Sequence, residues 1–247
     1  MKNAFTAMMI GVMPLSALAA HNQTIFTIAA YGDSTTAGVI SSGGKNIIAR
    51  DNEMTHLLTL LQAQYGPGVQ LKNYGVPGAQ AAELLYGKKK QQGSAGSWAQ
   101  RMAASNADII LINYAINDAL HYYFKDKHVH QESPQEYKRI ITELVKVAKQ
   151  HNKRVVLQEP NPLCGRAERW NVYPYVYQLN QVAKEQNVPV VKQYARIKAM
   201  KGWQKQMSPD CIHPSETLYK DKAQETFNVI TKNFAGAFLY TQINSLF

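Results

Sequence analysis

From residue 24 onward the chain alternates between short runs of consecutive apolar residues and stretches in which apolar residues recur every three or four positions. The first pattern predicts strands buried on both faces, the second amphipathic helices. Five strands are predicted: Thr24–Tyr31, Val69–Tyr74, Asp108–Asn113, Arg154–Gln158 and Val188–Val191. Pro189 puts the last of these near a sheet edge. A helix over 52–65 follows from Met54, Leu57, Leu58, Leu60 and Leu61, which fall mostly on one face, and Gly66-Pro67-Gly68 stops it. Further helices are predicted over 79–86, 98–104, 133–150, 176–186 and 215–234. Ser133-Pro134-Gln135-Glu136 is a strong helix start, and Ser215 caps the last helix. Residues 38–50, punctuated by Ser41-Ser42-Gly43-Gly44, read as a loop, as do the polar and aromatic residues 118–133.

Five strands alternating with helices predict a three-layer α/β/α sandwich around a five-stranded, mainly parallel sheet. Ligands in such folds sit at the carboxyl ends of the strands. The turn at Ser34, the turn Gly75–Gly78, the Asn117 loop and the Cys164 loop each follow a predicted strand. All four are therefore expected on one edge of the sheet.

The N-terminus departs from this pattern. Met1-Lys2-Asn3 is followed by an apolar stretch from Ala4 to Leu18, and Ala17-Leu18-Ala19 has the small-x-small form of a signal-peptidase site. Residues 1–19 are read as a cleaved secretory signal, leaving residues 20–247 as one domain outside the cytoplasm, periplasmic or secreted. The alternative is an uncleaved anchor, for which the run is short against the roughly 20 residues of a membrane span. No later segment is apolar enough to span a membrane. Export would give Cys164 and Cys211 an oxidising compartment.

Composition is ordinary for a folded domain, with 45% hydrophobic and 18% charged residues. The net charge of +10 suits contact with anionic envelope polymers or lipid headgroups, or serves solubility alone. Nucleic acid is not an expected partner, because the cations are scattered apart from Lys88-Lys89-Lys90 and no zinc-finger or base-stacking signature is present.

The candidate chemistry starts at Gly32-Asp33-Ser34, directly after the first strand. Ser34 is a candidate nucleophile, although the same tripeptide also makes an ordinary strand-to-helix turn. The G-x-S-x-G elbow of the α/β-hydrolases is absent from the chain. Asp210 and His213 form an Asp-x-x-His turn, in which the carboxylate can hold one imidazole nitrogen and leave the other for a serine proton. Asn117 can donate a side-chain amide to an oxyanion, and Gly78 can present a backbone N–H; each is equally at home in a plain turn.

Order and placement of these residues resemble the SGNH hydrolases, also called the GDSL esterase/lipase family. Tyr31-Gly32-Asp33-Ser34 is similar to the first block of that family, Asn73-x-Gly75-x-x-Gly78 to the second, Asn117 to the third and Asp210-x-x-His213 to the fifth. The resemblance covers the chain from Tyr31 to about Phe234. It implies that Ser34 attacks an ester carbonyl, that His213 is the base and Asp210 its partner, and that Ser34, Gly78 and Asn117 form the oxyanion hole. It implies no metal and no organic cofactor. The third block usually reads Gly-x-Asn-Asp; here Ala115 stands in the glycine place, which bears on how Asn117 is set.

Placed on that scaffold, Cys164 and Cys211 are expected to form a disulfide that fixes the catalytic turn, with two free buried thiols or an exposed pair as the alternatives. Tyr86–Gln92, His121–Phe124 and Arg166–Trp170 are candidate contacts for a sugar ring or anionic polymer, or else ordinary loop surface. Trp203 and Phe238–Phe247 are expected to be packing elements. The expected activity is a serine esterase acting on short acyl esters, O-acetyl foremost, plausibly on an envelope glycan, by a monomer. Alternatives are a lysophospholipase or thioesterase, an O-acetyltransferase with the same triad, and a non-catalytic carbohydrate-binding protein.

Overall fold

The structure, a computed structural model, describes residues 26–87, 96–125 and 127–244. In chain order the elements are β1 (Phe26–Gly32), α1 (Ser34–Ala37), β2 (Val39–Ser42), β3 (Lys45–Ile48), α2 (Glu53–Tyr65), β4 (Val69–Gly75), α3 (Ala81–Tyr86), α4 (Trp98–Ala104) and β5 (Ile109–Asn113). They continue with α5 (Ile116–Phe124), α6 (Pro134–Gln150), β6 (Arg154–Gln158), α7 (Tyr173–Gln186), β7 (Val190–Val191), α8 (Tyr194–Lys198) and α9 (Glu216–Asn244). The expected signal segment lies outside the described residues. Among the described residues no helix is long and apolar enough to cross a membrane.

The main sheet has the order β4-β1-β5-β6-β7, and every neighbouring pair is parallel. The central strands β1 and β5 are buried on both faces and β6 nearly so, whereas the edge strand β4 is largely half-buried or exposed; the two faces separate by period two. Ala29, Tyr31, Ile110, Ile112, Val155 and Leu157 pack with Leu84 of α3, Trp98 and Met102 of α4, Leu144 of α6 and Leu179 of α7. Ile28, Ala30, Ile109, Leu111 and Val156 pack with Leu57 and Leu61 of α2 and Ile230 of α9. That second layer also buries an ion pair, Lys222 Nζ to Glu53 Oε2 at 3.1 Å. Gln158 and Thr226 donate to the other Glu53 oxygen at 2.7 and 2.9 Å, so the pair ties α2, β6 and α9 together.

Register decides where the loops open. Gly32 of β1 pairs with Gly75 of β4 on one side and Asn113 of β5 on the other, so three strands end in one row. The chain runs outward from β1 to β4, then crosses back over β1 to β5. That reversal leaves a crevice at the carboxyl ends of β1 and β5.

Two stretches expected as loops are regular. Residues 39–48 form an antiparallel hairpin, Val39 opposite Ile48 and Ser42 opposite Lys45, turned by Gly43-Gly44, both with positive φ. Two glycines between Val39-Ile40 and Ile47-Ile48 are a hairpin signal, because a two-residue turn needs φ > 0 at both central positions. Helix α5 occupies 116–124, where Ile116, Ala119 and Leu120 keep helical spacing among polar and aromatic neighbours. The stretch between the last strand and Asp210, also without an expected element, holds the short helix α8, and further differences are at ends: α7 starts at Tyr173, β7 is two residues long, and α9 runs to Asn244.

Of the residues expected to pack, Trp203 and Phe238 do so, whereas Leu239 is half exposed. Trp203 lies in a small cluster with Cys164, Ile197, Met207 and Leu218. Phe238 of α9 packs on Phe26 and Tyr65 with ring centroids 4.0 and 4.3 Å away. Residues 245–247 lie outside the described residues.

Candidate active site

Ser34 is the first residue of α1. Asp33 caps that helix, accepting from the Thr35 N–H and hydroxyl, each at 2.8 Å. Burial raises the Asp33 carboxyl, against the two Thr35 bonds and the nearby charges of Lys222 and His213. The turn is tight because glycine permits it: a Cβ on Gly32 would come within 2.0 Å of Thr36 Oγ1 and 2.5 Å of the Asn113 carbonyl. A Cβ on Gly75 would meet the Ala37 nitrogen at 2.3 Å. Asn73 completes the fastening, its Nδ2 donating to Thr36 O at 2.8 Å while its Oδ1 accepts from Gly75 N.

His213 comes from the other end of the chain. Its Nε2 lies 2.8 Å from Ser34 Oγ, and its Nδ1 lies 2.6 Å from Asp210 Oδ2. The second Asp210 oxygen accepts from the N–H groups of Ile212 and His213, both at 3.0 Å. Burial raises the Asp210 carboxyl, but the His213 ring and these two N–H bonds outweigh it and hold the pKa below the ordinary carboxylate value. An ionised Asp210 fixes the tautomer that leaves Nε2 as acceptor for a serine proton.

The segment that carries this pair has little regular structure of its own and is tied from all sides. Ser208 N donates to His213 O at 2.8 Å, and Ser208 Oγ to Pro214 O at 2.9 Å. Asn161 Nδ2 donates to Ile212 O at 3.0 Å. Cys211, with φ of +60°, is bonded to Cys164 in a disulfide, and Cys164 N donates to Cys211 O at 3.1 Å.

Ser34 and His213 line a pocket of about 350 Å³ with Gly78, Asn117, Pro77, Ile116, Leu120, Trp170 and Ile212. Every residue expected at the oxyanion hole is therefore brought to one cavity. Asn117 sits in the first turn of α5, and its Nδ2 donates one hydrogen to Ala79 O at 3.0 Å, which leaves the amide a second donor. Ala115, the N-cap, has φ of +133° and ψ of −25°. An alanine is strained there, since glycine alone reaches that region without a Cβ penalty. Asn117 lines the pocket with Ala115 in the strained N-cap position.

Val39, Asn46, Ile47 and Ile48 also line the pocket, so the hairpin, in a stretch expected as a loop, forms one wall. Tyr219 of α9 holds that wall by donating from its hydroxyl to Val39 O at 2.7 Å. The three loops proposed for carbohydrate divide. Trp170 lines the pocket, while Arg169 lies over the exposed rings of Tyr123 and Phe124 at 5.8 and 5.7 Å. Tyr86 instead accepts a hydrogen bond from Arg139, and residues 88–92 fall outside the described residues. Among the described residues no cluster of His, Cys, Asp and Glu has the form of a metal site.

Residues 30–220 match the profile of the GDSL-like lipase/acylhydrolase family. No curated protein matches the chain. A lipase/acylhydrolase from Enterococcus faecalis superposes with a TM-score of 0.64 at 17% identity, covering 85% of this chain and 97% of that one. A catalytic mutant of Axe2, an acetylxylan esterase from Geobacillus stearothermophilus, gives a TM-score of 0.64 at 22% identity, covering 83% and 94%. Both likenesses are of fold.

Proposed function

The chain belongs to the GDSL-like lipase/acylhydrolase family, and from that premise we propose that it is a secreted or periplasmic serine esterase removing short acyl groups, acetyl foremost, from an envelope carbohydrate. The observation that carries the serine mechanism is the unbroken line Asp210–His213–Ser34 at 2.6 and 2.8 Å, ending in a pocket that Asn117 and Gly78 share. Ser34 Oγ attacks the ester carbonyl as its proton passes to His213 Nε2. Asp210 stabilises the imidazolium. The tetrahedral oxyanion takes hydrogen bonds from the Ser34 and Gly78 backbone and the Asn117 amide. Collapse breaks the acyl–oxygen bond, and the departing alcohol leaves with the proton from His213. Water then repeats the sequence on the acyl-enzyme and releases the acid.

The substrate reading is supported by the surface beside the pocket. Ile116 and Leu120 of α5 line the cavity, and Tyr123 and Phe124 lie one turn further along the same helix. Both rings are about half exposed, and Arg169 beside them adds hydrogen-bond donors and positive charge. Aromatic faces next to a guanidinium suit a pyranose ring. The basic net charge suits an anionic envelope polymer. A longer acyl chain is the second reading, favoured by the exposed Ile47 and Ile48 of the hairpin wall.

A fluorophosphonate probe tests the nucleophile: wild type is expected to label and Ser34→Ala not, and labelling that survives the substitution refutes Ser34. Hydrolysis across p-nitrophenyl esters of rising chain length tests the acyl group. A peak at acetate supports the first reading, and a peak at long chains replaces it with the second.

A further inference from the structure

Asn117 and Gly78 follow different strands, yet the segments that carry them are bonded to each other directly at two points and, through Glu132, at a third. Asn117 Nδ2 donates to Ala79 O at 3.0 Å, the Ala81 N–H to Asp118 Oδ1 at 2.9 Å, and the Ala82 N–H to Glu132 Oε1 at 3.0 Å. Asp118 and Glu132 are both fully buried, and their side chains hydrogen-bond to each other. Asp118 Oδ2 and Glu132 Oε2 have no N–H or hydroxyl donor among the described residues. Two carboxylates cannot satisfy each other, because both only accept. A proton shared between the two carboxyls relieves that conflict.

Burial and the neighbouring Asp118 carboxylate push Glu132 far up, so the proton rests on Glu132. Burial raises Asp118 as well, but the bonds from Glu132 and the Ala81 N–H oppose it. Nearby groups do not take the proton's place. The Tyr175 hydroxyl donates to the Glu132 backbone carbonyl at 2.5 Å, the Tyr137 hydroxyl donates to Tyr114 O at 3.1 Å, and Asp33 and Glu136 add only negative charge.

We propose that Glu132, bearing the proton it shares with Asp118, is a positioning residue that clamps the Asn117 end of α5 onto the Gly78–Ala82 segment and so sets the oxyanion pocket. The inference rests on the reading of Asn117 as an oxyanion donor. Glu132 touches no substrate; it acts through Asp118, the next residue after Asn117.

The test is steady-state kinetics with p-nitrophenyl acetate on Glu132→Gln, Glu132→Ala, Asn117→Ala and the Glu132→Ala/Asn117→Ala double variant. Glutamine keeps a donor toward Asp118 and an acceptor for the Ala82 N–H, so Glu132→Gln is expected to stay within about twofold of wild type. Glu132→Ala is expected to lower kcat by about tenfold with KM little changed, a loss on the scale of a sub-ångström misplacement. In the Asn117→Ala background the same substitution should cost almost nothing, because the group it positions is gone. Equal losses in both backgrounds, or a loss in Glu132→Gln as large as in Glu132→Ala, overturn the proposal. A normal kcat in Asn117→Ala refutes the oxyanion reading itself, which is a separate outcome. Thermal melts at the assay pH check folding, and Glu132→Leu, which fills the space without a proton, replaces Glu132→Ala if the alanine variant does not fold.

Discussion

The two halves of the site are held in unlike ways. Ser34, Gly78 and Asn117 stand at the ends of three adjacent parallel strands, and their spacing is inherited from the pairing of Gly32 with Gly75 and Asn113. Asp210 and His213 lie on a segment without strands of the main sheet, fastened by side chains, three backbone bonds and a disulfide. The first arm is rigid because backbone ladders cannot shift without breaking the core. The second is rigid only while its local ties persist. Reagents and substitutions that leave the sheet intact should therefore reach the His213 arm selectively.

The largest separation of chemistry from fold is expected for Asp210→Asn, which keeps the shape of the loop but favours the wrong imidazole tautomer. By analogy with serine proteases, kcat should fall by about 10⁴, while Tm falls only by the modest amount that losing one ionised, paired carboxylate brings. A large loss of Tm would mean that the carboxylate holds the loop rather than the tautomer. Next comes the disulfide. Replacing both Cys164 and Cys211 by Ser opens a crosslink spanning 47 residues and should lower stability by about 3–4 kcal/mol, read by urea unfolding. Because this tie lies on the His213 arm alone, kcat should fall as well; unchanged kcat would show that the hydrogen bonds suffice. On the sheet arm, Gly75→Ala forces a methyl against the Ala37 backbone and should cost about 2–3 kcal/mol. Retained stability there would refute the claim that the strand ends have no room to move.

The arms also titrate in opposite senses. Asp210 is held below its ordinary pKa, so its contribution to stability is present at neutral pH and lost as pH falls through the folded value. Glu132 is raised, so the folded protein keeps a proton that the unfolded chain releases near pH 4.5. Its effect is to erode stability as pH rises above that point, by up to about 1.4 kcal/mol per pH unit. Tm of Glu132→Gln is expected to gain on wild type between pH 5 and 8. Parallel curves would remove the shared proton from the account. The smallest effect is expected for Ala115→Gly, which relieves the strained φ at the start of α5 and should add about 1 kcal/mol of stability. Its kcat reports whether that strain contributes to the setting of Asn117.

Much of this was legible in the chain. Apolar runs named all five strands, and the residues following four of them included Ser34, Gly78 and Asn117. The hairpin over 39–48 was legible too, in Gly43-Gly44 between apolar pairs, but its serines, glycines and lysine pulled the reading toward a loop. Glu132 was not legible at all. Nothing in Gln131-Glu132-Ser133 separates a fully buried carboxyl from a solvated one.

Sequence alone determined the layers and the edge on which the chemistry gathers, because strand and helix periods are local and a parallel sheet directs every strand end the same way. Tertiary structure decided which groups meet. The 2.8 Å approach of His213 to Ser34 spans 179 positions, and the clamp of Asp118 and Glu132 on the segment after Gly78 spans up to 50. Contacts at such separations depend on strand order and register, which local patterns of polarity do not encode.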